Sequence, residues 1–326
     1  MIEQIIRELD KLKIVDGSRV KKQPLTGGVS SFVWRLEDQS GSVVVKYPRQ
    51  SMNLPEHWPV SVKRNRVEQA FFRYTSSRLP QHTPRIITGS RKNDWFCMGY
   101  LDGYTPWKEL LLEGRFSLGH AREAAVLLRR LHGRSAGCDE AAAVFGDNQI
   151  FETMRLTPYF SALTAHYPEF SVRIKATAAC LSATRRCLIH GDFSPKNLML
   201  GKQMVMIDGE TAVYGDPLFD VAFLINHLLL KGVLHPQKYQ DVTAAVQTFA
   251  AVYGATREPA RLVELILWLL LARVDGWSPV EYLNQRQRRQ VRQFVFEVIQ
   301  NPPAQLNGLL KRYVEWLKHV SVRKKG

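Results

Sequence analysis

The sequence lacks the features that mark membrane, repetitive or secreted chains. Among its 326 residues no apolar run reaches the roughly 18 that a membrane-spanning helix needs. The longest runs, AFLINHLLL (222–230) and LILWLLLA (265–272), are typical of buried helices. No internal repeat or low-complexity linker is present. The opening segment, MIEQIIRELDKLKIV, mixes charges of both signs with apolar residues at helical spacing, so we expect an amphipathic helix rather than a signal peptide.

Cysteine is also scarce. The four cysteines form no C-x-x-C pair, and none lies near a histidine at the spacing of a zinc finger. A disulfide framework or a structural zinc site is therefore not expected. Scattered thiols are typical of a reducing compartment, and we expect a cytoplasmic protein.

Acidic residues are outnumbered, with 30 Asp and Glu against 45 Lys and Arg and a formal net charge of +15. Such an excess suits a nucleic acid, an anionic membrane surface or a polyanionic ligand. The densest basic segments are VKRNR (62–66), RQRRQVR (286–292) and the tail VRKKG (322–326). Aromatic residues do not interleave with them as they would on a stacking platform for single-stranded nucleic acid. We therefore favour a solvated basic surface over a nucleic-acid partner.

The pattern of apolar residues divides the chain at about residue 101. Before it, short β-branched or alternating segments predict strands at 19–25, 30–37, 42–48, 85–90 and 95–101, with a helix over 62–79 between them. After it, helical periodicity dominates over 117–134, 149–166, 169–185, 216–231, 238–254, 257–273, 278–300 and 303–319. The Gly- and Pro-containing segment GYLDGYTP (99–106) is the natural hinge. We predict an α+β, bilobal fold with a small β-rich lobe (1–101) and a larger, mostly helical lobe (102–326).

Polar residues interrupt the strand-like segments CLIHGDFSPKNLML (187–200) and VMIDGE (205–210). Phosphoryl transfer from ATP needs a carboxylate that orients the attacking hydroxyl, and oxygen ligands for Mg²⁺. The order H-x-D-x-x-x-x-N, then a strand ending in D-G, supplies these groups. Asp192 is the predicted base, Asn197 and Asp208 the metal ligands, and Lys196 a cation for the transferred phosphoryl group. His190 is expected to pack beneath the loop and bond its backbone.

The first lobe has residues suited to nucleotide phosphates. LTGGVSSFVWRL (25–36) places Gly27 and Gly28, with Ser30, between two strands, where the backbone can approach a phosphate closely. Lys46 ends the strand segment VVVK, and Glu68 lies on the next helix at a spacing that suits an ion pair with it. Singly, these residues have structural explanations, such as a turn, an edge charge or a helix cap. Their order along one chain favours the phosphoryl-transfer interpretation.

These segments resemble the aminoglycoside phosphotransferase and choline kinase family, the small-molecule branch of the protein-kinase-like fold. The resemblance extends over roughly residues 20–275 and is densest in LIHGDFSPKNLML and VMIDGETAVYGDPLFDVAFLI. It implies ATP and Mg²⁺ as cofactors, transfer of the γ-phosphoryl group to a small-molecule alcohol, and adenine binding by the backbone near Met98, Tyr100 and Leu101. It also implies that Asp220 accepts backbone N–H bonds from the catalytic loop, although N-capping is the simpler role for Asp216 and Asp220.

Two departures from protein kinases bear on the acceptor. Gly191 stands where protein kinases usually have the arginine that reads an activation-loop phosphate, and D-G-E (208–210) replaces D-F-G. The short interval from Asp208 to Asp220 leaves little room for a segment that docks peptides. A small-molecule acceptor is therefore favoured over a protein.

The acceptor pocket is predicted in the second lobe, where LLARVDGWSPVEYL (270–283) offers Arg273, Asp275 and Trp277. A helix end with Ser278 as the next cap explains the same segment equally well. Residues 255–300 contain five acidic residues against seven arginines. Because an acidic funnel for a polycationic aminoglycoside is missing there, we expect a neutral or anionic alcohol.

The sequence thus predicts an ATP- and Mg²⁺-dependent phosphotransferase. Three alternatives stay open at this stage. They are a kinase with a protein or lipid acceptor, a nucleotide-binding module without catalysis, and a basic nucleic-acid-binding protein whose affinity would fall steeply with salt.

Overall fold

The first hundred residues build an antiparallel sheet with a helix on each face. The computed structural model describes residues 1–25, 31–49, 61–90, 94–254 and 258–322. Within these ranges the first hundred residues contain two helices, α1 (Ile2–Lys11) and α2 (Arg64–Arg78). The strands are β1 (Lys21–Pro24), β2 (Ser31–Asp38), β3 (Gly41–Pro48), β4 (Ile86–Ser90) and β5 (Trp95–Gly99), in the spatial order β1-β2-β3-β5-β4. A tight turn joins β2 to β3, with Asp38 opposite Gly41.

Alternation along β3 decides which side chain faces which helix. Successive residues of a strand point to opposite faces of the sheet. Val45 packs with Ile5 and Leu9 of α1 in one small cluster, whereas Val44 belongs to the main core together with Phe71 of α2. Lys46 has the parity of Val44, so its side chain points towards α2. The alternation therefore directs a lysine to the interior side of the sheet.

The rest of the described chain is mostly helical, with short strands around the polar segment 187–210. The helices are α3 (Trp107–Leu112), α4 (Leu118–Ser135), α5 (Asp139–Phe145), α6 (Gln149–Phe151), a π-helical segment (Glu152–Ser161), α7 (Ala162–His166), α8 (Ser171–Ala183), α9 (Pro217–Leu234), α10 (Tyr239–Tyr253), α11 (Pro259–Asp275), α12 (Gln285–Ile299) and α13 (Leu306–Val322). The strands β6 (Thr105–Pro106), β8 (Leu198–Leu200) and β9 (Val205–Met206) form one small sheet, and β7 (Cys187–Ile189) pairs with β10 (Val213–Gly215).

The predicted α+β class is confirmed, and the differences in detail have physical causes. The helix predicted over 278–300 begins only at Gln285, because Asn284 caps it in a reciprocal capping box with Gln287. Residues 276–283 instead form a turn, in which the Val280 N–H bonds the Arg273 carbonyl. The helices α3 and α5 were not predicted. They have only 6 and 7 residues, too few for a periodic pattern to stand out.

Two expectations about cysteine and membrane segments can be compared with the structure. All four cysteines are free, and Cys97 and Cys187 are buried. Among the described helices, α9 is long and apolar enough to cross a bilayer, but 89% of its apolar window is buried inside the protein. Its hydrophobicity is therefore explained by its central place in the core.

The packing of α1 on the sheet can be tested by truncating one side chain. Ile5 is fully buried in the cluster with Val45, so Ile5→Ala should lower the free energy of unfolding by about 2–4 kcal/mol, measured by urea denaturation. Leu12→Ala is the matched control. Because Leu12 is 57% exposed, that change should cost less than about 0.5 kcal/mol. Equal losses in both variants would contradict the packing described here.

Candidate functional site

The loop after β7 is held in shape by one buried carboxylate. Asp220, in the first turn of α9, accepts the backbone N–H of His190 at 2.7 Å and that of Gly191 at 2.9 Å. The same carboxylate contacts Nε2 of His132 at 3.2 Å, and Nδ1 of this histidine lies 2.9 Å from the Tyr253 hydroxyl. Because buried N–H groups must find acceptors, these bonds fix the path of the loop. Asp216, four residues earlier, is the N-cap of α9 and accepts the Leu218 N–H at 3.0 Å.

Position 191 of the loop requires glycine. Gly191 has φ +73°, and a Cβ atom there would lie 2.3 Å from the Thr211 carbonyl oxygen. An L side chain would meet both backbone strain and a backbone clash. The expected departure from the protein-kinase pattern thus has a local steric cause.

Asp192 is a buried carboxylate between two cations. Its Oδ2 lies 3.0 Å from Nη2 of Arg155 and 2.9 Å from Nζ of Lys196. Burial favours the protonated acid, but Lys196 and Arg155 outweigh it and hold the pKa of Asp192 below its ordinary value. The carboxylate is therefore ionised at neutral pH. Only 4% of the residue is exposed, whereas the Lys196 side chain is half exposed.

Arg155 comes from the π-helical segment. Pro158 has no N–H to give to the Met154 carbonyl in an α-helical pattern, and that carbonyl accepts from Nη1 of Arg155 at 2.7 Å. Nε of the same guanidinium donates to the Gly191 carbonyl at 2.6 Å. The irregular helix thus aims an arginine at both the backbone and the carboxylate of the loop.

Backbone bonds bring Asn197 close to Asp208. The Ile207 N–H donates to the Asn197 carbonyl at 3.0 Å, which joins the end of the loop to the residue before Asp208. Nδ2 of Asn197 donates to the Asp192 carbonyl at 3.0 Å, so the amide oxygen is the atom that remains for a cation. Asp208 has φ +64°, a conformation that Asp tolerates better than most residues.

Lys46 bridges the two parts of the chain. Its Nζ lies 2.7 Å from Oε2 of Glu68 on α2 and 2.5 Å from Oδ1 of Asp208. Burial disfavours the ammonium, but the carboxylates of Asp208 and Glu68 outweigh it and raise the pKa of Lys46. For Asp208 burial is again outweighed, here by Lys46 and Lys196, and the pKa falls. Burial raises the pKa of Glu68 to about 8, against the opposing charge of Lys46.

Three carboxylates gather beside this lysine. The ligand oxygens of Glu68, Asp208 and Glu210 lie within 4.8 Å of one another, and Arg64 Nε approaches Glu210 at 3.5 Å. Carboxylate and amide oxygens are the ligands that Mg²⁺ prefers, and Asn197 adds such an oxygen beside Asp208. The donor set therefore fits a hard divalent cation.

His190 lies behind the loop rather than on its reactive side. The residue is fully buried, its Nε2 is 3.0 Å from the Ile207 carbonyl, and its Nδ1 accepts the Asp192 N–H at 3.2 Å. Burial lowers its pKa, so the imidazole is neutral at pH 7. Its contacts are those of the structural histidine that the sequence suggested.

Of the remaining residues that were predicted to contact the nucleotide, some lie outside the described ranges and two lie at the end of β5. Gly27, Gly28 and Ser30 lie outside the described residues. Met98 is in β5 and pairs with Val44 on one side and Ile86 on the other. Tyr100 follows the last ladder residue of β5, and its ring lies 4.3 Å from the Arg35 guanidinium.

The three predicted acceptor residues make most of their contacts with the protein itself. Asp275 forms a buried pair with Arg292, whose Nε lies 2.9 Å away, and accepts the Tyr167 hydroxyl at 2.6 Å. Arg273 bonds Ser278, at 2.9 Å to its Oγ, and the Trp277 N–H donates to the Pro158 carbonyl at 3.1 Å. Asp275 and Trp277 therefore stabilise the turn after α11, which agrees with the structural alternative given for this segment.

Sequence reasoning missed Arg155, His132 and Lys231. Arg155 lies in an apolar helical stretch just before a proline, which could have indicated a buried arginine. This pattern does not identify Asp192 as its partner. His132 carries no motif. Lys231 interrupts the apolar run of α9, and it is only 1% exposed, which composition alone does not reveal.

The support that Asp220 gives to the loop can be tested with Asp220→Asn. An amide has one acceptor fewer, so one of the two buried N–H groups loses its partner. The free energy of unfolding should fall by about 1–3 kcal/mol in urea denaturation. Asp139→Asn, on the exposed first turn of α5, is the control and should change stability by less than about 0.5 kcal/mol. An unchanged free energy of unfolding in Asp220→Asn would show that the loop does not depend on this carboxylate.

Lys231 gives a prediction about pH. Burial, with Lys108 and Arg273 nearby, lowers its pKa from 10.5 to about 7. The unfolded chain therefore binds more protons between pH 7 and 10.5, so the penalty from this lysine is full below pH 7 and fades as pH rises. Lys231→Met should stabilise the protein, and the gain should be larger at pH 7 than at pH 9.5 by on the order of 2–3 kcal/mol. A gain that does not vary with pH would contradict the lowered pKa.

Comparison with known proteins identifies the family and the fold of the chain. Residues 22–265 match the model of the phosphotransferase enzyme family. Methylthioribose kinase from Yersinia pseudotuberculosis is 25% identical over 284 residues, which cover 73% of this chain and 70% of that one. A choline/ethanolamine kinase family protein from Mesorhizobium loti superposes with a TM-score of 0.54 at 16% identity, over 98% of this chain and 94% of that chain. An ADP-bound aminoglycoside phosphotransferase superposes with a TM-score of 0.54 at 16% sequence identity, over 96% of this chain and 96% of that chain. The fold is thus that of the protein-kinase-like phosphotransferases, and the chain belongs to the phosphotransferase enzyme family.

Proposed function

We propose that this protein transfers the γ-phosphoryl group of ATP to a hydroxyl of a small molecule, with Mg²⁺ bound at Asn197 and Asp208. The observation that carries the proposal is the ionised, buried Asp192, held by Arg155 and Lys196 beside the Lys46–Asp208 pair. Phosphoryl transfer is catalysed mainly by positioning and by charge stabilisation, and these groups supply both.

The two lobes have different functions in this proposal. Residues 1–101 bind the nucleotide, with the backbone near Met98 and Tyr100 at the base and Lys46 at the α- and β-phosphates. Glu68 holds Lys46 in place through its 2.7 Å ion pair. Residues 102–326 carry the catalytic loop and the acceptor site.

Magnesium has suitable ligands in the second lobe. The amide oxygen of Asn197 and the Asp208 carboxylate would hold the ion, which when bound neutralises charge on the phosphates. Before nucleotide binds, Lys46 occupies one oxygen of Asp208 at 2.5 Å. The lysine therefore balances the carboxylate in the free protein and is available to a phosphate afterwards.

Asp192 orients the acceptor. Its oxygen accepts a hydrogen bond from the acceptor hydroxyl, whose oxygen attacks the γ-phosphorus while the bond to the β-phosphate oxygen breaks and ADP leaves. The hydroxyl proton passes to Asp192. Since its pKa is lowered, the carboxylate is a weak base, so its main contribution is orientation, and it takes the proton late. Lys196, half exposed, neutralises charge on the transferred group.

A small acceptor suits the chain better than a macromolecule. Only 11 residues separate Asp208 from Asp220, and the Asp216–Arg261 ion pair and the cap of α9 use part of that interval. The relative from Yersinia pseudotuberculosis is named for a sugar-derived acceptor, methylthioribose. A hydroxylated metabolite of that size is the acceptor class that we propose here. The four free thiols are consistent with a reducing, cytoplasmic location.

The decisive experiment is transfer of labelled phosphoryl from ATP to a panel of metabolite and antibiotic alcohols. Asp192→Asn should lower kcat by about 10²–10⁴-fold, because the oriented acceptor is lost, while the affinity for ATP changes little. Asp139→Asn, an exposed carboxylate on α5, is the control and should keep full activity. Chelation of Mg²⁺ should abolish turnover in all forms.

Three outcomes would count against the proposal. Full activity of Asp192→Asn would remove the assigned role. Tight binding of ATP with no transfer to any acceptor would favour a nucleotide-binding module without catalysis. No binding of ATP at all would exclude the kinase reaction.

A further inference from the structure

The side of α9 that carries His227 and Lys231 holds buried polar groups that are not fully satisfied within the described part of the chain. The two residues are 6% and 1% exposed, and their spacing of four puts them on the same side of the helix. The one carboxylate that favours the Lys231 ammonium is Glu281, which is itself paired with Lys108, and Nδ1 of His227 has no hydrogen-bond partner among the described residues. Buried polar groups are nearly always satisfied, so this exception needs an explanation.

Other cationic and polar groups face the same place from three further elements. From α11 comes Arg273, whose Nε also has no partner in the described part of the chain. From the turn after α11 comes Tyr282, whose ring centre is 4.8 Å from the Lys231 ammonium and whose hydroxyl is likewise unpartnered within the described ranges. Lys108 of α3 stands at the edge, paired with Glu281. We call these residues, His227, Lys231, Arg273 and Tyr282, the α9 cluster.

The charge of the α9 cluster is not balanced. Burial, then the charges of Lys108 and Arg273, lowers the pKa of Lys231 to about 7, and only Glu281 opposes them. Burial and neighbouring cations likewise lower the pKa of His227. In most proteins a buried lysine is accompanied by a carboxylate, because desolvating an ammonium is costly. Among the described residues, the cations here thus face one opposing carboxylate, Glu281, which is already paired with Lys108.

Ring contacts connect the α9 cluster to the catalytic loop. The Arg155 guanidinium, which holds Asp192, lies 5.9 Å from the centre of the Phe223 ring. The Phe223 ring is 4.9 Å from the imidazole of His227, and Lys231 is one turn further along α9. The Tyr159 ring stacks on Phe223 with ring centres 6.0 Å apart, and Nη1 of Arg273 lies 3.4 Å from the Tyr159 hydroxyl. Lys196 of the catalytic loop is among the charges that lower the pKa of His227.

We propose that the α9 cluster is the acceptor subsite and that it selects an alcohol carrying an anionic group, a carboxylate or a phosphate. The inference rests on the proposed function, since it presumes that Asp192 receives the acceptor hydroxyl. The anion supplies the paired negative charge that the described residues do not give Lys231, and Arg273 and His227 offer further donors. A polycationic acceptor would be repelled, and a neutral sugar would leave the ammonium uncompensated.

The test compares matched acceptors in the same transfer assay with Mg-ATP. The sets are glycerol, glycerate and glycerol 3-phosphate, and ribose with ribose 5-phosphate. In at least one set the anionic member should exceed the neutral one in kcat/KM by about tenfold or more. The carboxylate and phosphate members then decide which anion fits. Preference for the neutral members would overturn the inference.

Lys231→Met removes the charge while keeping a side chain of similar length. It should abolish most of that preference by raising KM for the anionic acceptor about 10- to 100-fold, with KM for ATP unchanged. Lys175→Met, on the exposed surface of α8, is the control and should preserve the preference. A rise in KM for ATP instead would assign the α9 cluster to the nucleotide and overturn the proposal. An unchanged melting temperature, or a higher one, would verify that the variant is folded.

A binding experiment covers the case in which the panel holds no true acceptor. With a non-hydrolysable ATP analogue and Mg²⁺ bound, inorganic phosphate and glycerate are titrated by calorimetry at constant ionic strength. At least one should bind to the wild type and to Lys175→Met, and about tenfold or more weakly to Lys231→Met. If the analogue binds and neither anion does, the inference fails alone. If the analogue itself does not bind, the proposed function fails with it.

Discussion

The site depends on the buried carboxylate of Asp220. It accepts two consecutive backbone N–H groups, at 2.7 and 2.9 Å, at the point where the chain leaves β7 and turns into the loop that carries Asp192. Because α9 is almost wholly buried, the position of Asp220 is fixed by the core rather than by the surface. The loop is therefore held as rigidly as the core, and Asp192 lies two residues after His190, whose N–H is the first that Asp220 accepts. Positioning of this quality is what phosphoryl transfer requires.

Charge balance is the second constraint. Lys46, Glu68 and Asp208 neutralise one another within 2.7 Å contacts, and Arg155 with Lys196 neutralises Asp192. Desolvated charges are costly unless they are paired, and removing one partner costs more than the pair contributes. The network thus keeps Asp192 and Asp208 ionised in a buried setting. It also keeps Lys46 next to the residue that would hold magnesium.

The sequence predicted the parts of this site that are local and ordered along the chain. The loop residues Asp192 and Asn197 lie within one segment, and the alternation of β3 with the helical spacing of α2 suffices to pair Lys46 with Glu68. Arg155 was missed because its contact with Asp192 joins residues 37 positions apart through a π-helical turn that periodicity does not describe. The sequence offered Asp275 as a ligand-binding residue. Its actual partners, Arg292 and Tyr167, are distant along the chain, and no local sequence pattern indicates these contacts.

The helix α9 explains why composition is a poor guide to the acceptor. Its apolar residues build the core, and its hydrophobicity is high enough to resemble a membrane span. In the sequence, a lysine in such a helix is not distinguished from the apolar residues around it. Burial nevertheless strengthens the interaction of its ammonium group with a ligand. An exposed ammonium exchanges water for a ligand with little gain, whereas a buried one without a carboxylate gains the full interaction. The selectivity that we propose for an anionic alcohol therefore rests on a charge in a place where solvent cannot screen it.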